Sequence, residues 1–457
     1  MLDVVQPGTG QVIERLPLES RDQALAKIQT AWDAHQRRAA QPLHERLAIL
    51  NRTAALLETR RDSLAMLIAT EGGKPLRDAQ VEVQRALDGF QIAMRELQHL
   101  HGHAVPMGLT AASEGRATMS WRDPIGVELA ISAFNHPLNL AVHQIIPAVA
   151  VGTPVLFKPS PKTPLSGLHL LKCLHECGLT PELAQPLLID DTTLLELVSD
   201  PRIAHVSFIG AARVGWEIRR RIADGTRICL EHGGIAPCII DDDVQLERII
   251  ASLARGAFYH AGQVCVSTQR IYVPGGRASE VAQALAAAAR ALVVGSATES
   301  ATDVGPLIRP ESVQRVRAAV RDAVSQGATC LTGGEPLDEW HYAPTVLLNP
   351  PDSASVSRDE VFGPVVCVYD ADHLDAAIHR ANQTRYAFQA SIFTNRIDHA
   401  LKASRQLEAS TMLINDHTVF RTDWMPFAGR GESGLGEGGI GYSMRELTES
   451  RTVIWKG

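Results

Sequence analysis

Cys265 is the side chain of this sequence best suited to covalent chemistry. It follows Gly262 in an otherwise apolar segment, and it is one of seven cysteines in 457 residues. A thiolate is a strong nucleophile, but a cysteine between Val264 and Val266 is more often a small core side chain than a reactive one. The rest of the sequence therefore has to decide between a nucleophile and a core thiol.

Two polar side chains stand at the ends of predicted strands. Glu231 closes the apolar run 228–230, and Asn135 follows another strand, just before a helical pattern that begins near Pro137. A carboxylate at such a place is either a solvated loop residue or a general base. An amide there either completes a turn or donates a hydrogen bond to a developing oxyanion.

Two glycine-rich stretches are candidates for phosphate binding. The strand Phe208-Ile209 runs through Gly210 into a helix, which can point backbone N–H groups and a helix dipole at a phosphate. The stretch from Gly434 to Gly439 matches the GxGxxG pattern but follows no predicted strand. Only 457 − 439 = 18 residues remain after it, too few for a βαβ unit, so we predict a flexible loop there.

Composition excludes several classes of partner. The net charge of −7 comes from 44 basic and 51 acidic residues without long runs of one sign, so we expect no nucleic-acid or membrane-surface partner. The scattered, odd-numbered cysteines are typical of a reducing compartment. No signal peptide and no apolar run of roughly 20 residues is visible, which predicts a cytoplasmic protein. Cys173 and Cys177 lack a second ligand pair, so we predict no metal site.

The spacing of apolar residues predicts an α/β fold. The first hundred residues are mainly helical, and Ser20 with Gln23 resembles a capping box that opens a helix at 20–39. After residue 126, short apolar strands alternate with helices, as in βαβ units around a buried parallel sheet. The predicted strands include 155–158, 187–189, 205–209 and 238–240, and the predicted helices include 138–151, 164–177, 212–223, 278–292 and 310–326.

Seven motifs, in order along nearly the whole chain, resemble those of the aldehyde dehydrogenase superfamily, whose NAD(P)-dependent members oxidise aldehydes to carboxylic acids. Glu231 and Cys265 are separated by 265 − 231 = 34 residues. The motifs are Pro124-Ile125-Gly126-Val127 with Phe134-Asn135-His136-Pro137, Lys158-Pro159-Ser160, Phe208-Ile209-Gly210, Glu231-His232-Gly233-Gly234, Gly262-Gln263-Val264-Cys265, Glu360-Val361-Phe362-Gly363-Pro364, and Pro426-Phe427-Ala428-Gly429 with Ser433-Gly434.

The resemblance implies an aldehyde dehydrogenase-like α/β fold with three parts. A Rossmann-type dinucleotide-binding domain would comprise residues 1–113 and 132–240, and an α/β catalytic domain would comprise residues 241–416. A small β-strand oligomerisation extension would combine residues 114–131 with residues 440–457. Because this extension joins subunits in the family, the resemblance implies a homodimer or a homotetramer.

The resemblance also assigns catalytic roles. Cys265 would attack the aldehyde carbonyl as a thiolate, and the Asn135 side chain with the Cys265 N–H would hold the oxyanion. Glu231 would activate the water that hydrolyses the resulting thioester. Two rival interpretations are an acylating relative that passes the acyl group to coenzyme A, which tends to lack such a carboxylate, and a catalytically silent binding or structural protein.

For the cofactor, NAD or NADP, the resemblance implies six contacts. Lys158, with Ser160 in the same motif, would contact the adenosine ribose. Gly210 and Gly215 would lie around the pyrophosphate, and Glu360 and Phe362 would lie at the nicotinamide end. Pro161 stands where many NAD-preferring members have a glutamate that repels a 2′-phosphate. With Lys158 and Lys162 nearby, we predict that NADP is at least tolerated.

The substrate end is expected to be polar. By alignment of the motifs, His136, Asn139 and His143 project from the helix after Asn135, and Phe420 and Arg421 lie in the loop before Pro426. A set of histidine, asparagine and arginine favours a small polar or anionic aldehyde, such as a carboxylate, phosphonate or sulfonate semialdehyde. The alternative is that Arg421 is a solvated loop residue and that the histidines pack or contact water.

Overall fold

A computed structural model describes residues 1–457, and it contains the alternation of strands and helices that the sequence predicts. The strands are β1 Leu2–Val5, β2 Val12–Leu16, β3 Arg116–Pro124, β4 Val127–Ile131, β5 Val155–Lys158, β6 Ala184–Pro186, β7 Ile203–Ile209, β8 Arg227–Glu231, β9 Ala236–Ile240, β10 Thr268–Pro274, β11 Thr329–Thr332, β12 Thr345–Leu348, β13 Val365–Ala371, β14 Tyr386–Ala387, β15 Gln389–Phe393, β16 Thr411–Ile414, β17 Arg430–Gly431, β18 Gly434–Leu435 and β19 Thr448–Lys456.

The helices are α1 Arg21–Gln36, α2 Leu43–Thr59, α3 Arg61–Gly72, α4 Leu76–Glu96, α5 Pro137–Val151, α6 Leu165–Glu176, α7 Asp191–Leu197, α8 Ala212–Arg221, α9 Leu246–Phe258, α10 Ala278–Arg290, α11 Pro310–Ser325, α12 Ser355–Arg358, α13 Leu374–Asn382, α14 Ile397–Gln406 and α15 Ile440–Glu446. The capping box predicted at Ser20 and Gln23 is present at the start of α1. None of the helices combines the length and the apolarity that crossing a bilayer requires.

The first sheet has six strands in the order β18-β8-β7-β4-β5-β6. Its pairs are parallel except for β18 against β8. All five residues of β4 are buried, as the apolar run of a central parallel strand requires. The chain leaves β4 for β5 on one side and returns to β7 on the other, so the carboxyl ends of these strands border a crevice of the kind that binds nucleotides.

The second sheet has seven strands in the order β11-β12-β13-β10-β9-β15-β16. All seven residues of its central strand β10 are buried, and Cys265 lies three residues before that strand. The turn between α9 and Cys265 has positive φ at two successive non-glycine residues, His260 at 49° and Ala261 at 55°. This backbone, which L-residues rarely adopt, turns the chain sharply just before the cysteine.

The helices of the first hundred residues do not form a domain of their own. Side chains of α2, α3 and α4 share one hydrophobic core with α5, α6 and with β4 and β5 of the six-stranded sheet. These helices therefore cover one face of the sheet. The β1–β2 hairpin at the start of the chain was not predicted, because its strands are short and only Val4 is fully buried.

The proposed β extension is smaller than expected. Strand β3 pairs antiparallel with β19 through nine residue pairs. Residues 127–131, predicted to belong to the extension, instead form β4 in the middle of the six-stranded sheet, where all five are buried. Residues 440–446 form α15, whose Ile440 and Met444 enter the core beside α4 and α5.

Two further local predictions need correction. Within the stretch from Gly434 to Gly439, predicted as a loop, Gly434 and Leu435 form β18 and pair with Glu231 and Leu230. The strand predicted at 187–189 is observed as β6, at 184–186, where the chain pairs with β5.

Candidate active site

A single large cavity of about 850 Å³ brings most of the predicted site residues together. The carboxyl ends of β4, β5 and β7 form one wall, and the segments that carry Cys265, Glu360 and Arg421 form the other. The cavity therefore runs from the nucleotide-type crevice of the first sheet to the cysteine loop of the second.

Cys265 opens into this cavity and is neither bonded to another cysteine nor fully buried. Burial raises the pKa of its thiol to about 12, and the positive charge of Arg421 acts in the opposite direction. The Cys265 N–H donates to no other residue's carbonyl, so it is free to donate to an oxygen bound at the sulfur.

Asn135 is placed by the start of α5. Its Nδ2 donates to the carbonyl oxygen of Gln263 at 2.8 Å, two residues before Cys265. The first turn of α5 is capped from α4: Glu82 accepts hydrogen bonds from the N–H groups of Leu138 at 2.9 Å and Asn139 at 3.1 Å. Glu82 also pairs with Lys74, and both side chains are buried.

Glu231 ends β8 and lines the large cavity. Burial raises the pKa of its carboxyl group, and Arg421 acts in the opposite direction. The carboxylate also borders a second cavity of about 20 Å³ that holds the polar residues Glu128, Gln144 and His205. A Cβ atom at Gly438 would overlap Oε1 of Glu231, so this glycine provides the space that the carboxylate occupies.

The nucleotide end of the cavity contains Lys158, Ser160 and Gly210. Nζ of Lys158 donates to Oδ1 of Asp191 at 3.2 Å. The helix α8 begins after Ala211 without a side-chain cap, which leaves its first N–H groups available to an anion. Gly215 differs from the expectation: it does not line the cavity but lets α8 pack closely against His232.

Glu360 and Phe362 line the same cavity. Oε1 of Glu360 accepts a hydrogen bond from the N–H of Gly234 at 3.2 Å, and burial raises the pKa of its carboxyl group to about 7. The ring of Phe362 meets that of Phe134 edge to face, with centroids 5.8 Å apart. Phe362 has a φ of 49°, a sparsely populated conformation that turns its ring into the cavity.

The predicted substrate residues divide into two groups. His136, Phe420 and Arg421 line the cavity. The guanidinium carbon of Arg421 lies 3.5 Å from the centroid of the Phe427 ring, and its buried Nε has no hydrogen-bond partner. His143 does not reach the cavity wall; it lies behind Arg421.

A buried polar network supports Arg421 from behind. Oδ1 of Asp423 lies 2.8 Å from Nε2 of His143, and the Asp423 carboxylate accepts two hydrogen bonds from Arg85. Burial lowers the pKa of His143 to about 4, so the ring is neutral at pH 7. Because the carboxylate only accepts, Nε2 carries the proton and Nδ1 is left to accept from Nη2 of Arg421, 3.5 Å away.

The sequence interpretation missed Arg85, Asp423, Glu82 and Asp191. A signal was present for two of them, since Glu82 follows Asp78 by four residues and Arg85 follows Glu82 by three. That spacing places three charged side chains on one face of α4. Glu82 and Asp78 are fully buried, and such charges are rarely buried without partners.

Comparisons with known proteins agree with this geometry. A family model described as the aldehyde dehydrogenase family matches residues 1–453. The 3-sulfolactaldehyde dehydrogenase of Priestia aryabhattai is 35% identical over 454 residues, covering 99% of this chain and 94% of that protein.

Two solved structures are similar over the whole chain. Aldehyde dehydrogenase 21 from Physcomitrella patens, in complex with the reaction product succinate, has 33% identity and a TM-score of 0.95, with 100% of this chain and 95% of that one covered. Glyceraldehyde-3-phosphate dehydrogenase GapN from Methanocaldococcus jannaschii, complexed with NADP, has 32% identity and a TM-score of 0.95, with 100% and 99% covered.

The protein therefore belongs to the aldehyde dehydrogenase family, with the α/β fold that the sequence predicted. It is an enzyme that oxidises aldehydes. The alternative of a catalytically silent protein is set aside.

Proposed function

We propose that this enzyme oxidises a small anionic aldehyde, such as a carboxylate or sulfonate semialdehyde, to the acid with NAD or NADP. The observation that carries the proposal is Arg421. Its guanidinium lines the cavity with Cys265, stacks on Phe427, and has a buried Nε without a partner. A buried donor is costly to leave unpaired, so a ligand with a planar or tetrahedral anionic group would satisfy it.

The names of two relatives support this substrate class. One relative is named for 3-sulfolactaldehyde, which carries a sulfonate, and one solved structure holds succinate, a dicarboxylate. Both compounds place an anionic group a few bonds from the carbon that is oxidised.

In the proposed acylation step, the Cys265 thiol gives its proton to solvent, and its sulfur then bonds to the carbonyl carbon of the aldehyde as the π electrons of the C=O bond move to the oxygen. The raised pKa of the thiol makes the thiolate scarce, and Arg421 favours it. The new oxyanion would accept hydrogen bonds from Nδ2 of Asn135 and from the Cys265 N–H, both of which border the cavity. Glu360 and Phe362 would hold the nicotinamide, which would supply the acceptor for the hydride of the aldehyde carbon.

In the proposed deacylation step, Glu231 removes a proton from a water molecule that attacks the thioester carbonyl. The acid then leaves and the sulfur recovers its thiolate. Because Glu231 lines the same cavity as Cys265, hydrolysis is favoured over transfer to coenzyme A. Product analysis distinguishes the two reactions. Hydrolysis releases the free acid and needs no coenzyme A, whereas acyl transfer needs coenzyme A and releases its acyl thioester.

The residues of the cavity fit a nicotinamide dinucleotide. Lys158 and Glu360 supply a donor and an acceptor for ribose hydroxyl groups, and the uncapped first turn of α8 supplies N–H groups for a pyrophosphate. Lys158, Ser160 and Gly210 would hold the adenosine half, and Glu360 with Phe362 would hold the nicotinamide half.

Replacement of Arg421 tests the substrate class. We expect Arg421→Met to lower kcat/KM roughly 30-fold or more for succinate semialdehyde, since loss of one partner of a buried charge pair costs about 2 kcal/mol or more. For propionaldehyde, which has no anionic group, kcat/KM is expected to fall by a clearly smaller factor, because only the support that Arg421 gives to the Cys265 thiolate and to ionised Glu231 is lost. Steady-state kinetics with both aldehydes gives the comparison.

Two further variants make the experiment specific. Arg430→Met removes an exposed arginine nine residues after Arg421, and it is expected to leave kcat/KM unchanged for both aldehydes. His143→Ala is expected to raise KM for succinate semialdehyde with little effect on kcat, and His143→Gln to restore it, because an amide can also donate to Asp423 and accept from Arg421. Equal losses for the charged and the neutral aldehyde in Arg421→Met would contradict the proposal.

A further inference from the structure

We infer that Asp191 sets the preference between the two cofactors, by accepting a hydrogen bond from the adenosine 2′-hydroxyl of NAD and repelling the 2′-phosphate of NADP. The inference rests on the proposed placement of the adenosine ribose beside Lys158. The sequence predicts that NADP is at least tolerated. The role of Asp191 adds that NAD binds more tightly than NADP.

The first support is the pairing of Asp191 with Lys158 at the wall of the cavity. Lys158 ends β5, and its side chain is 5% exposed, whereas that of Asp191 is 83% exposed. Asp191 is the only protein group to which the Lys158 ammonium donates, at 3.2 Å. A ribose bound to Lys158 would therefore have this carboxylate as its neighbour.

The second support is an apolar surface next to that pair. Leu194 and Leu195, one turn after Asp191 on α7, line the same cavity, and Val214 on α8 does so as well. Apolar side chains of this kind can cover the two faces of an adenine ring. The ring would then lie between α7 and α8, with its ribose next to Lys158 and Asp191.

The third support is the sequence at position 161. Proline has no side-chain acceptor, so no carboxylate follows Lys158 in the next turn of the chain. In dinucleotide-binding sheets an acidic residue after a later strand commonly accepts the 2′-hydroxyl hydrogen bond. Asp191 meets that requirement, since it follows β6, the strand next to β5.

The charges around Asp191 explain why NADP would still bind. Arg213 is exposed at the cavity wall on α8 and forms no ion pair, so it is available to a phosphate. Lys162 is directed elsewhere, with Nζ 4.7 Å from the centre of the Phe134 ring. Since the Asp191 side chain is mostly exposed, it can rotate away from a 2′-phosphate, at the loss of its contact with Lys158.

Equilibrium binding of the two cofactors tests the inference without turnover. Titration calorimetry of the full-length enzyme with NAD⁺ and NADP⁺ is expected to give a smaller Kd for NAD⁺. Asp191→Asn is expected to shift the ratio of the two Kd values toward NADP⁺ by about tenfold, mainly through tighter NADP⁺ binding. Glu196→Gln, an exposed carboxylate on the same helix that pairs with Arg21, is the matched control and is expected to leave the ratio unchanged.

Lys158→Ala separates this inference from the placement on which it rests. If Lys158→Ala weakens the binding of both cofactors and Asp191→Asn leaves the ratio of their Kd values unchanged, the role of Asp191 is overturned. The placement of the adenosine ribose beside Lys158 then still stands. If Lys158→Ala alters neither Kd, the adenosine ribose lies elsewhere and the inference fails with the placement. Tighter binding of NADP⁺ than of NAD⁺ by the unaltered enzyme would also overturn it.

Discussion

At Glu231 the surroundings work against the charge that a general base needs. Burial raises the pKa of the carboxyl group, and no protein group donates a hydrogen bond to either oxygen. Arg421 is the positive group that favours ionisation. A carboxyl group of raised pKa is a stronger base once ionised, but a smaller fraction of it is ionised below that pKa.

Removal of this carboxylate is expected to separate the two halves of the reaction. Glu231→Gln should still form the thioester and release NAD(P)H in a burst of about one equivalent per site, followed by slow turnover. In the unaltered enzyme, a deacylation-limited rate should rise with pH above the ordinary range of a glutamate and level off when Glu231 is fully ionised.

Rapid-mixing absorbance of NAD(P)H measures the burst. Glu437→Gln, an exposed neighbour of the second cavity, is the control and is expected to turn over normally. Undiminished steady-state turnover of Glu231→Gln would assign the base role to another group.

At the scale of elements, α4 holds the site together, and its Val81 and Arg85 also line the cavity. Three of its charged side chains form ion pairs: Asp78 with Arg255, Glu82 with Lys74 just before the helix, and Arg85 with Asp423. Glu82 fixes the first turn of α5, which positions Asn135, while Arg85 fixes the loop that carries Arg421. One helix thus sets the positions of the oxyanion donor and of the proposed anion ligand.

The pair of Glu82 and Lys74 gives a stability prediction for this helix. Glu82→Gln leaves the fully buried Lys74 ammonium without its counter-charge, and we expect a loss of about 3–5 kcal/mol in the free energy of unfolding. Chemical denaturation followed by tryptophan fluorescence measures it.

Glu58→Gln provides the comparison for Glu82→Gln, since Glu58 forms an exposed ion pair with Arg61. Exposed pairs contribute little, so this variant should unfold nearly as the unaltered protein does. Similar effects of the two substitutions would mean that Lys74 is neutral or finds another partner.

Local patterns were sufficient for most elements but not for the supports of the site. The capping box of α1 and the limits of α5, α6 and α11 follow from residues close in sequence, so they were predicted within a few positions. The bond from Arg85 to Asp423 spans 338 positions, and that from Lys158 to Asp191 spans 33. Nothing local to Arg85 or Asp423 indicates such a partner, because only the tertiary fold brings them together.

Resemblance to a family supplied the rest of the site prediction, and its limits are visible at two residues. Gly215 matched a motif position, yet it packs against His232 instead of facing the cavity. His143 was predicted to meet the substrate, yet it contacts Arg421 and Asp423. Motif position identifies the neighbourhood of a side chain, whereas its direction depends on packing.

At the scale of the whole molecule, two surfaces favour self-association. The two-stranded β3–β19 sheet exposes Met119, Ile454 and Trp455, with 53%, 58% and 50% of each residue accessible. Strand β16 is an edge of the seven-stranded sheet, and Ile414 on it is exposed as well. Exposed apolar ribbons and unpaired sheet edges are typical of surfaces that pair with another chain.

We therefore expect a homodimer or a homotetramer whose assembly depends on the β3–β19 sheet. The double substitution Ile454→Ser with Trp455→Ser is expected to shift the protein toward monomers without unfolding it, because both side chains are already exposed. Size-exclusion chromatography with light scattering measures the mass. Leu337→Ser, at an exposed position outside the β3–β19 sheet, is the control. An unchanged mass in the double variant would contradict the role of this sheet.

The space that Gly438 leaves for the Glu231 carboxylate has a consequence for protein engineering. An added Cβ would lie 2.0 Å from Oε1 of Glu231 and 3.0 Å from the carbonyl oxygen of Phe427, so the flexible end of the Glu231 side chain would swing aside while the backbone shifts slightly. The carboxylate would then leave the place from which it faces the cavity. Selection for thermal tolerance alone would therefore accept a methyl group at 438 that selection for turnover rejects, and the same conflict exists at Gly233, where the added atom would meet Glu360.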